Sequence, residues 1–343
     1  MLVVVIHPEQ WNGGSDRCTL ALLRHFVAGG HRVVWLTTMI DKYWKDYEFT
    51  GVEVVELGLP LHPGDWFSQN IAIGWYIATS NLNPNLVIAD HSARWYSHLI
   101  AFLEETMFEQ ADIIMVNSRF TASQFERVMP ETASKIRVVY PPCDVDAITN
   151  GSMVPGGIPA ILKRKAVGFK VQLAGSIMPH IPESKLYYEL LQKMTKDLDM
   201  EDVVEFIISP TEEEKFSLYS ACDSVLYTPP NEHFGIVPIE ALEQRRPVIV
   251  CDSGGPSETV SEDITGTKIA TPSSDLLAEA MLHHIQKVDW PHLDDDHMYS
   301  AQRRRFEDLY STRGFCANID RAVSQLLPTQ KNPAVAPLSR ALA

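Results

Sequence analysis

Two glutamates, Glu232 and Glu240, stand eight positions apart in the stretch Ser224–Val260, SVLYTPPNEHFGIVPIEALEQRRPVIVCDSGGPSETV. Glu232 falls in a loop after an expected strand, Ser224–Tyr227, and Glu240 lies inside an expected helix, Ile236–Gln244. Between them, His233-Phe234-Gly235 brings bare backbone to the helix start. N–H groups without intrahelical partners, backed by the helix dipole, form an anion site suited to a diphosphate. Gly235 removes a side chain where a ligand would approach the backbone. A second strand–loop–helix follows at Val248–Cys251 and Ser253-Gly254-Gly255-Pro256-Ser257, with more amides and a proline suited to a first helical turn. Taken alone, two such glutamates read as a turn residue and a solvated helix position. Their coincidence with a glycine-bearing helix start and a Gly-Gly loop points instead to a diphosphate-like ligand.

The rest of the chain supplies the scaffold. Leu2–Ile6 is a short apolar, β-branched run of the kind buried in a parallel sheet. It leads into Asn12-Gly13-Gly14-Ser15 and a helix with Leu20, Leu22, Leu23 and Phe26 on one side, which Gly29-Gly30 ends. Further strands are expected at Arg32–Thr37, Val52–Leu57, Leu86–Ala89, Ile113–Val116 and Ile136–Val139, and Thr121 to Gln124 has the spacing of a capping box. Pro141 to Pro159, dense in proline and glycine, reads as an interdomain connection. Alternation resumes with strand Lys170–Ala174, helix Glu183–Met194, strand Val203–Ile208 and a capping box at Thr211 and Glu214. Met298 to Leu327 reads as a final helical region, and the Pro-, Ala- and Ser-containing tail after Pro328 as mobile. The expected fold is α/β, with two doubly wound parallel-sheet (Rossmann-like) domains facing a cleft. Their limits are 1–145 for the first domain, 146–325 for the second, and 326–343 for the tail.

Composition narrows the function. Of 343 residues, 45% are hydrophobic and 21% charged, the balance of a soluble globular chain. With 29 basic and 44 acidic residues the net charge is −15, which argues against nucleic acid as a partner. No apolar stretch is long enough for a spanning helix, and the first residues lack the basic region of a signal peptide. Five scattered cysteines without a CxxC spacing argue for a reducing compartment rather than a disulfide framework.

The segment NEHFGIVPIEALEQRRPVIVCDSGGPSE resembles the donor-binding segment of the family 4 retaining glycosyltransferases of GT-B architecture. That family's signature is two glutamates separated by seven residues, then a Gly-Gly-Pro-x-Glu turn. LYTPPNEHFGIVPIEA, VNSRFTASQF (Val116–Phe125) and IHPEQWNGGSDR (Ile6–Arg17) are similar to one branch, the eukaryotic dolichol-pathway enzymes that add α-1,3 and then α-1,6 mannose to a lipid-linked core. The resemblance implies mannose transfer from GDP-mannose to a dolichol-diphosphate oligosaccharide in early N-glycan precursor assembly. The place would be the cytosolic face of the endoplasmic reticulum, with peripheral attachment and other transferases of the pathway as partners. It implies no cofactor beyond the donor substrate and no metal.

Roles carry over by position. Glu240 would bind the ribose hydroxyls and Glu232 the hydroxyls of the donor sugar. Amides at Phe234 and Gly235 would meet the sugar or its diphosphate, and those of the Gly254-Gly255 turn the sugar side. Gly13 and Gly14 would let backbone approach the diphosphate, and His98 would sit near the transferred sugar. Two departures stand out. Ile158–Val171, IPAILKRKAVGFKV, does not match the family's strand with an arginine and a following lysine; Lys163, Arg164 and Lys165 read there as a solvated face. After His98, the family's acceptor-side stretch with Phe-Pro-Asp has no counterpart. Both joins suit a shortened form. They also leave open a catalytically impaired relative acting as a binding or scaffold subunit, or another GT-B nucleotide-sugar transferase.

Smaller signals read as structural. Asp144-Val145-Asp146 and Asp294-Asp295-Asp296 read as solvated loops, His283-His284 as surface or core, and Asn150-Gly151-Ser152 as a turn. Trp66, Phe67, Trp75 and Tyr76 read by default as the packed side of a helix, with lipid contact as the alternative.

Overall fold

The computed structural model describes residues 1–11, 14–44, 47–57, 66–89, 108–143, 169–178, 182–287, 290 and 296–326. By internal packing the chain divides into two compact units. One comprises Met1–Asp144 with Glu232–Ile236 and Arg304–Ala343; the other comprises Val145–Asn231 with Val237–Arg303.

The first unit is organised by its apolar strands. β1 (Leu2–Ile6) lies between β3 (Arg32–Thr37) and β6 (Leu86–Ala89), and β5 (Val52–Glu56) flanks β3, all parallel. Val4 aligns with Val34 on one side and Val87 on the other. β1 is apolar throughout because both faces are covered. Helix α1 (Gly14–Ala28) packs Leu23 and Phe26 onto Val3, Val5 and Trp35. Helix α2 (Trp66–Thr79) contributes Ile73 and Tyr76 to the opposite cluster with Val4, Ile6 and Leu36. Short β2 (Glu9–Gln10) and β4 (Met39–Ile40) pair with each other just past the ends of β1 and β3. β7 (Ile114–Val116) and β8 (Ile136–Val138) form a separate parallel pair.

The helix between β7 and β8 corrects one expectation. It runs from Arg119 to Val128 (α3), and its cap is Ser118, whose Oγ accepts the Thr121 N–H at 3.0 Å. Thr121 is already helical and donates its hydroxyl to Asn117 Oδ1. A residue with capping chemistry stands on each side of the true boundary, and spacing alone selected the inner one.

In the second unit, β9 (Val171–Gly175) pairs with β10 (Val204–Ile208), and β11 (Val225–Tyr227), β12 (Val248–Cys251) and β13 (Gly266–Ile269) form another parallel sheet. The helices are α4 (Pro182–Asp197), α5 (Glu212–Ala221), α6 (Ile236–Glu243), α7 (Pro256–Thr259) and α8 (Ser274–Gln286). β12 is buried on both faces. Val248 and Val250 meet Ala241 and Leu242 of α6 with Tyr219 of α5, while Ile249 and Cys251 meet Ala280 of α8. The Thr211–Glu214 capping box forms, with both reciprocal bonds, and opens α5.

The final helical region is two helices, α9 (Asp296–Leu309) and α10 (Thr312–Leu326). Ser311 Oγ accepts the Gly314 N–H at 3.0 Å at the start of α10. Residues from Arg304, expected in a second domain running to 325, group with the first unit instead. The reason is apolar: Phe315 and Ile319 are buried with Val3, Leu23 and Phe26 in the first unit's core. Most of the expected connection, 144–159, and the tail beyond 326 lie outside the described residues.

Candidate functional site

Glu240 is not a solvated helix position. It is 3% exposed on α6, and both carboxylate oxygens are engaged. Oε1 accepts from Lys215 Nζ at 2.9 Å and Oε2 from the Tyr219 hydroxyl at 3.0 Å. Lys215 and Tyr219 are one turn apart on α5, so the capping box that fixes the start of α5 also fixes their approach. Lys215 further pairs with Glu212 at 2.9 Å. The Tyr219 ring is itself buried among Ala241, Leu242 and Val248. Sequence reasoning missed Lys215 and Tyr219. The signal available was two side chains capable of donating, at i and i+4, on a capped helix.

The turn before α6 is bent by residues in the left-handed region. Asn231 has φ 57° and Gly235 φ 76°. Glycine carries that conformation without the Cβ clash that other residues meet. Glu232 is half-buried, and its Oε1 accepts the His233 N–H at 2.9 Å. Within the first unit Phe234 is buried, its ring 6.1 Å from Tyr140 and 5.9 Å from Tyr310, while His233 faces Phe120 at 6.2 Å. Glu232 through Gly235, expected in the second domain, therefore group with the first unit.

The Gly-Gly loop stands in the second unit. Gly254 has φ 73° and Gly255 is helical at φ −60° and ψ −39°, so the two glycines serve different geometries. Ser257 donates its hydroxyl to the Gly254 carbonyl at 2.8 Å, and Lys268 Nζ donates to the Ser257 carbonyl at 2.8 Å. The Asn231 N–H donates to Ser253 Oγ at 3.1 Å, linking the two loops.

In the first unit, Gly14 opens α1 and is exposed; a Cβ built on it would meet nothing within 4 Å. Neither packing nor a positive φ of this chain demands glycine there. Behind it, Asp16 Oδ1 shares a 2.9 Å hydrogen bond with His7 Nε2 and accepts the Trp11 N–H at 2.9 Å. Gly13 and His98 lie outside the described residues, as do Lys163, Arg164, Lys165, Asp144, Asp146, Asn150, Asp294 and Asp295.

Two minor signals are settled by burial. His284 is core: it is held between Ser224 Oγ at 2.7 Å and Thr267 Oγ1 at 3.0 Å, and burial, aided by His283 and Lys287, pushes its pKa down to about 4. Trp75 departs from the packed-helix reading, since it is 73% exposed while Tyr76 packs on the core. Among the described residues no helix is long and apolar enough to cross a membrane.

Known proteins resemble this chain in sequence and in fold. Residues 159–291 match the family profile of glycosyl transferases group 1. The alpha-1,3/1,6-mannosyltransferase ALG2 of Homo sapiens is 32% identical over 282 residues, covering 71% of this chain and 66% of the human protein. The chain thus spans just under two thirds of that relative's length. The Schizosaccharomyces pombe counterpart is 29% identical over 358 residues, covering 77% of this chain and 70% of its own. Among solved structures, a glycosyltransferase from Rickettsia africae superposes with a TM-score of 0.74 at 14% identity, covering 96% of this chain and 99% of that one. HepE of Anabaena, in complex with UDP and glucose, gives 0.71 at 16% identity, covering 95% and 100%. These likenesses establish the GT-B fold. The chain is similar to the group 1 glycosyltransferases over residues 159–291 and to the α-1,3/1,6-mannosyltransferases over most of its length.

Proposed function

We propose that the chain is a retaining glycosyltransferase that moves mannose from GDP-mannose to a dolichol-diphosphate-linked oligosaccharide in early N-glycan precursor assembly. The observation that carries this reading is the segment Asn231–Glu240. A turn with Gly235 at φ 76° delivers backbone to the start of α6, and the buried Glu240 lies one turn further on. Glu240 binds the ribose hydroxyls, since a carboxylate accepts several hydrogen bonds. Amides around Phe234 and Gly235, with the α6 dipole behind them, take up charge on the departing diphosphate. Glu232 orients the sugar hydroxyls, and the Gly254-Gly255 turn borders the sugar. Gly14, where a side chain would clash with nothing of the chain itself, leaves room for the diphosphate, with Gly13 before it. His98 stands near the transferred mannose. The chemistry is front-face substitution through an oxocarbenium-like transition state, which needs positioning and charge stabilisation rather than a strong nucleophile or a metal. The enzyme works at the cytosolic face of the endoplasmic reticulum, peripherally attached, with other transferases of the pathway as neighbours.

The test is mannose transfer to a short-chain lipid-linked acceptor by the full chain, with GDP-mannose, UDP-glucose and ADP-glucose as competing donors. Transfer from GDP-mannose that Glu232→Ala abolishes supports the reading; preference for a uridine donor contradicts it. A second reading is favoured by one feature of the sequence, the lack in Ile158–Val171 of the family's strand with an arginine and a following lysine. On that reading the chain binds a nucleotide sugar as a non-catalytic subunit: titration calorimetry then shows GDP-mannose binding while the transfer assay shows no turnover.

A further inference from the structure

We propose that Lys215 and Tyr219 are positioning residues that set how Glu240 meets a nucleotide ribose. The inference rests on the ribose role given to Glu240 above and extends it to two residues on a different helix. The geometry is specific. An ionised carboxylate offers about four acceptor sites. Lys215 Nζ takes one on Oε1 at 2.9 Å and the Tyr219 hydroxyl one on Oε2 at 3.0 Å. One acceptor site on each oxygen is left, which matches the pair of neighbouring hydroxyls on a ribose. With a donor on both oxygens, the carboxylate cannot rotate about its terminal bond without breaking a charge-assisted hydrogen bond, and such bonds are the strong ones.

The surroundings make the clamp stiff. Glu240 is 3% exposed, and both of its oxygens are held before any ligand arrives. Tyr219 is buried, and Lys215 is held a second time by Glu212 at 2.9 Å. The capping box at Thr211 and Glu214 places Lys215 at the fourth helical position of α5. Pre-ordering a binding group in this way lowers the ordering cost when ligand arrives. Lys215 and Tyr219 touch the glutamate, not the ligand, so their effect is read through ribose recognition rather than through diphosphate or base contacts.

The experiment compares GDP with 2′-deoxy-GDP by isothermal titration, using the full chain in its wild-type, Tyr219→Phe and Lys215→Met forms. Wild type is expected to prefer GDP by about tenfold, the loss of one good hydrogen bond. Either variant is expected to bind GDP more weakly and to bring the preference to within about twofold. Loss of the preference in either variant supports the clamp, and Lys215→Arg, which keeps the charge, restores it in part. Tyr219→Phe leaves the ring in the core, so it alone decides the matter if Lys215→Met does not fold. A full tenfold preference in every folded variant overturns the clamp while leaving the ribose role of Glu240 intact. No preference in wild type overturns the ribose role itself, and the clamp with it.

Discussion

The two sheets of the second unit are written in similar apolar residues and end in opposite environments. In β12, Val248, Ile249 and Val250 are fully buried. β9, also short and parallel, is exposed at four of its five positions. Helix α4, whose Tyr188 packs edge-on against Phe206 of β10, carries Leu186, Leu190 and Met194 as a stripe with spacing four, continued by Leu198 just past its end, all 48–63% exposed. The Glu240 clamp and the Gly254-Gly255 turn stand on the sealed sheet. The exposed sheet begins at the end of Ile158–Val171, where the sequence departs from the family it resembles. An amphipathic pattern declares that a face wants a partner; it does not supply one. The segment that carries the resemblance is thus also the segment whose packing is complete.

That contrast can be broken by substitution. Ile249→Ala in the sealed sheet is expected to cost about 2–5 kcal/mol, because it leaves a cavity between packed layers. Urea denaturation reads the loss, and a cost below about 1 kcal/mol would deny the sealing. His284 sharpens the same point by pH. Its folded-state pKa of about 4 lies below the ordinary 6.5, so the unfolded chain takes the proton first as pH falls. The stability this group contributes is complete above pH 6.5 and is lost as pH drops towards 4. At about 1.4 kcal/mol per pH unit the loss approaches about 3 kcal/mol. His284→Gln should flatten that slope, and an unchanged slope would place the titration elsewhere. The smallest effect is expected at Leu190→Ser on the exposed stripe, within about 0.5 kcal/mol of wild type. A loss of several kcal/mol there would mean that this face is covered in solution.

Much of this was legible in the residues. Alternating strands and helices gave the parallel sheets, because a strand buried on both faces must be apolar throughout, as β1 and β12 are. The reciprocal side chains of Thr211 and Glu214 announced α5, and Glu240 was picked out by spacing with Glu232 and the glycines around it. Its partners were not legible. Lys215 and Tyr219 lie about 20 residues or more upstream, on a helix whose approach to α6 is fixed by tertiary packing rather than local pattern. The placement of α10 was hidden for the same reason. Phe315 and Ile319 mark an apolar face, but nothing in their spacing says which of two cores receives it.

The account turns on whether Glu240 serves a nucleotide or only the fold. Titration of GDP-mannose into wild type and Glu240→Ala, with thermal melting of both, separates the two directly. A charge-assisted hydrogen bond contributes about 1.5–3 kcal/mol, so affinity should fall about 10- to 100-fold, well beyond what any loss of folded protein explains. Affinity unchanged once the folded fraction is matched would make Glu240 a structural carboxylate and remove the basis for the nucleotide site.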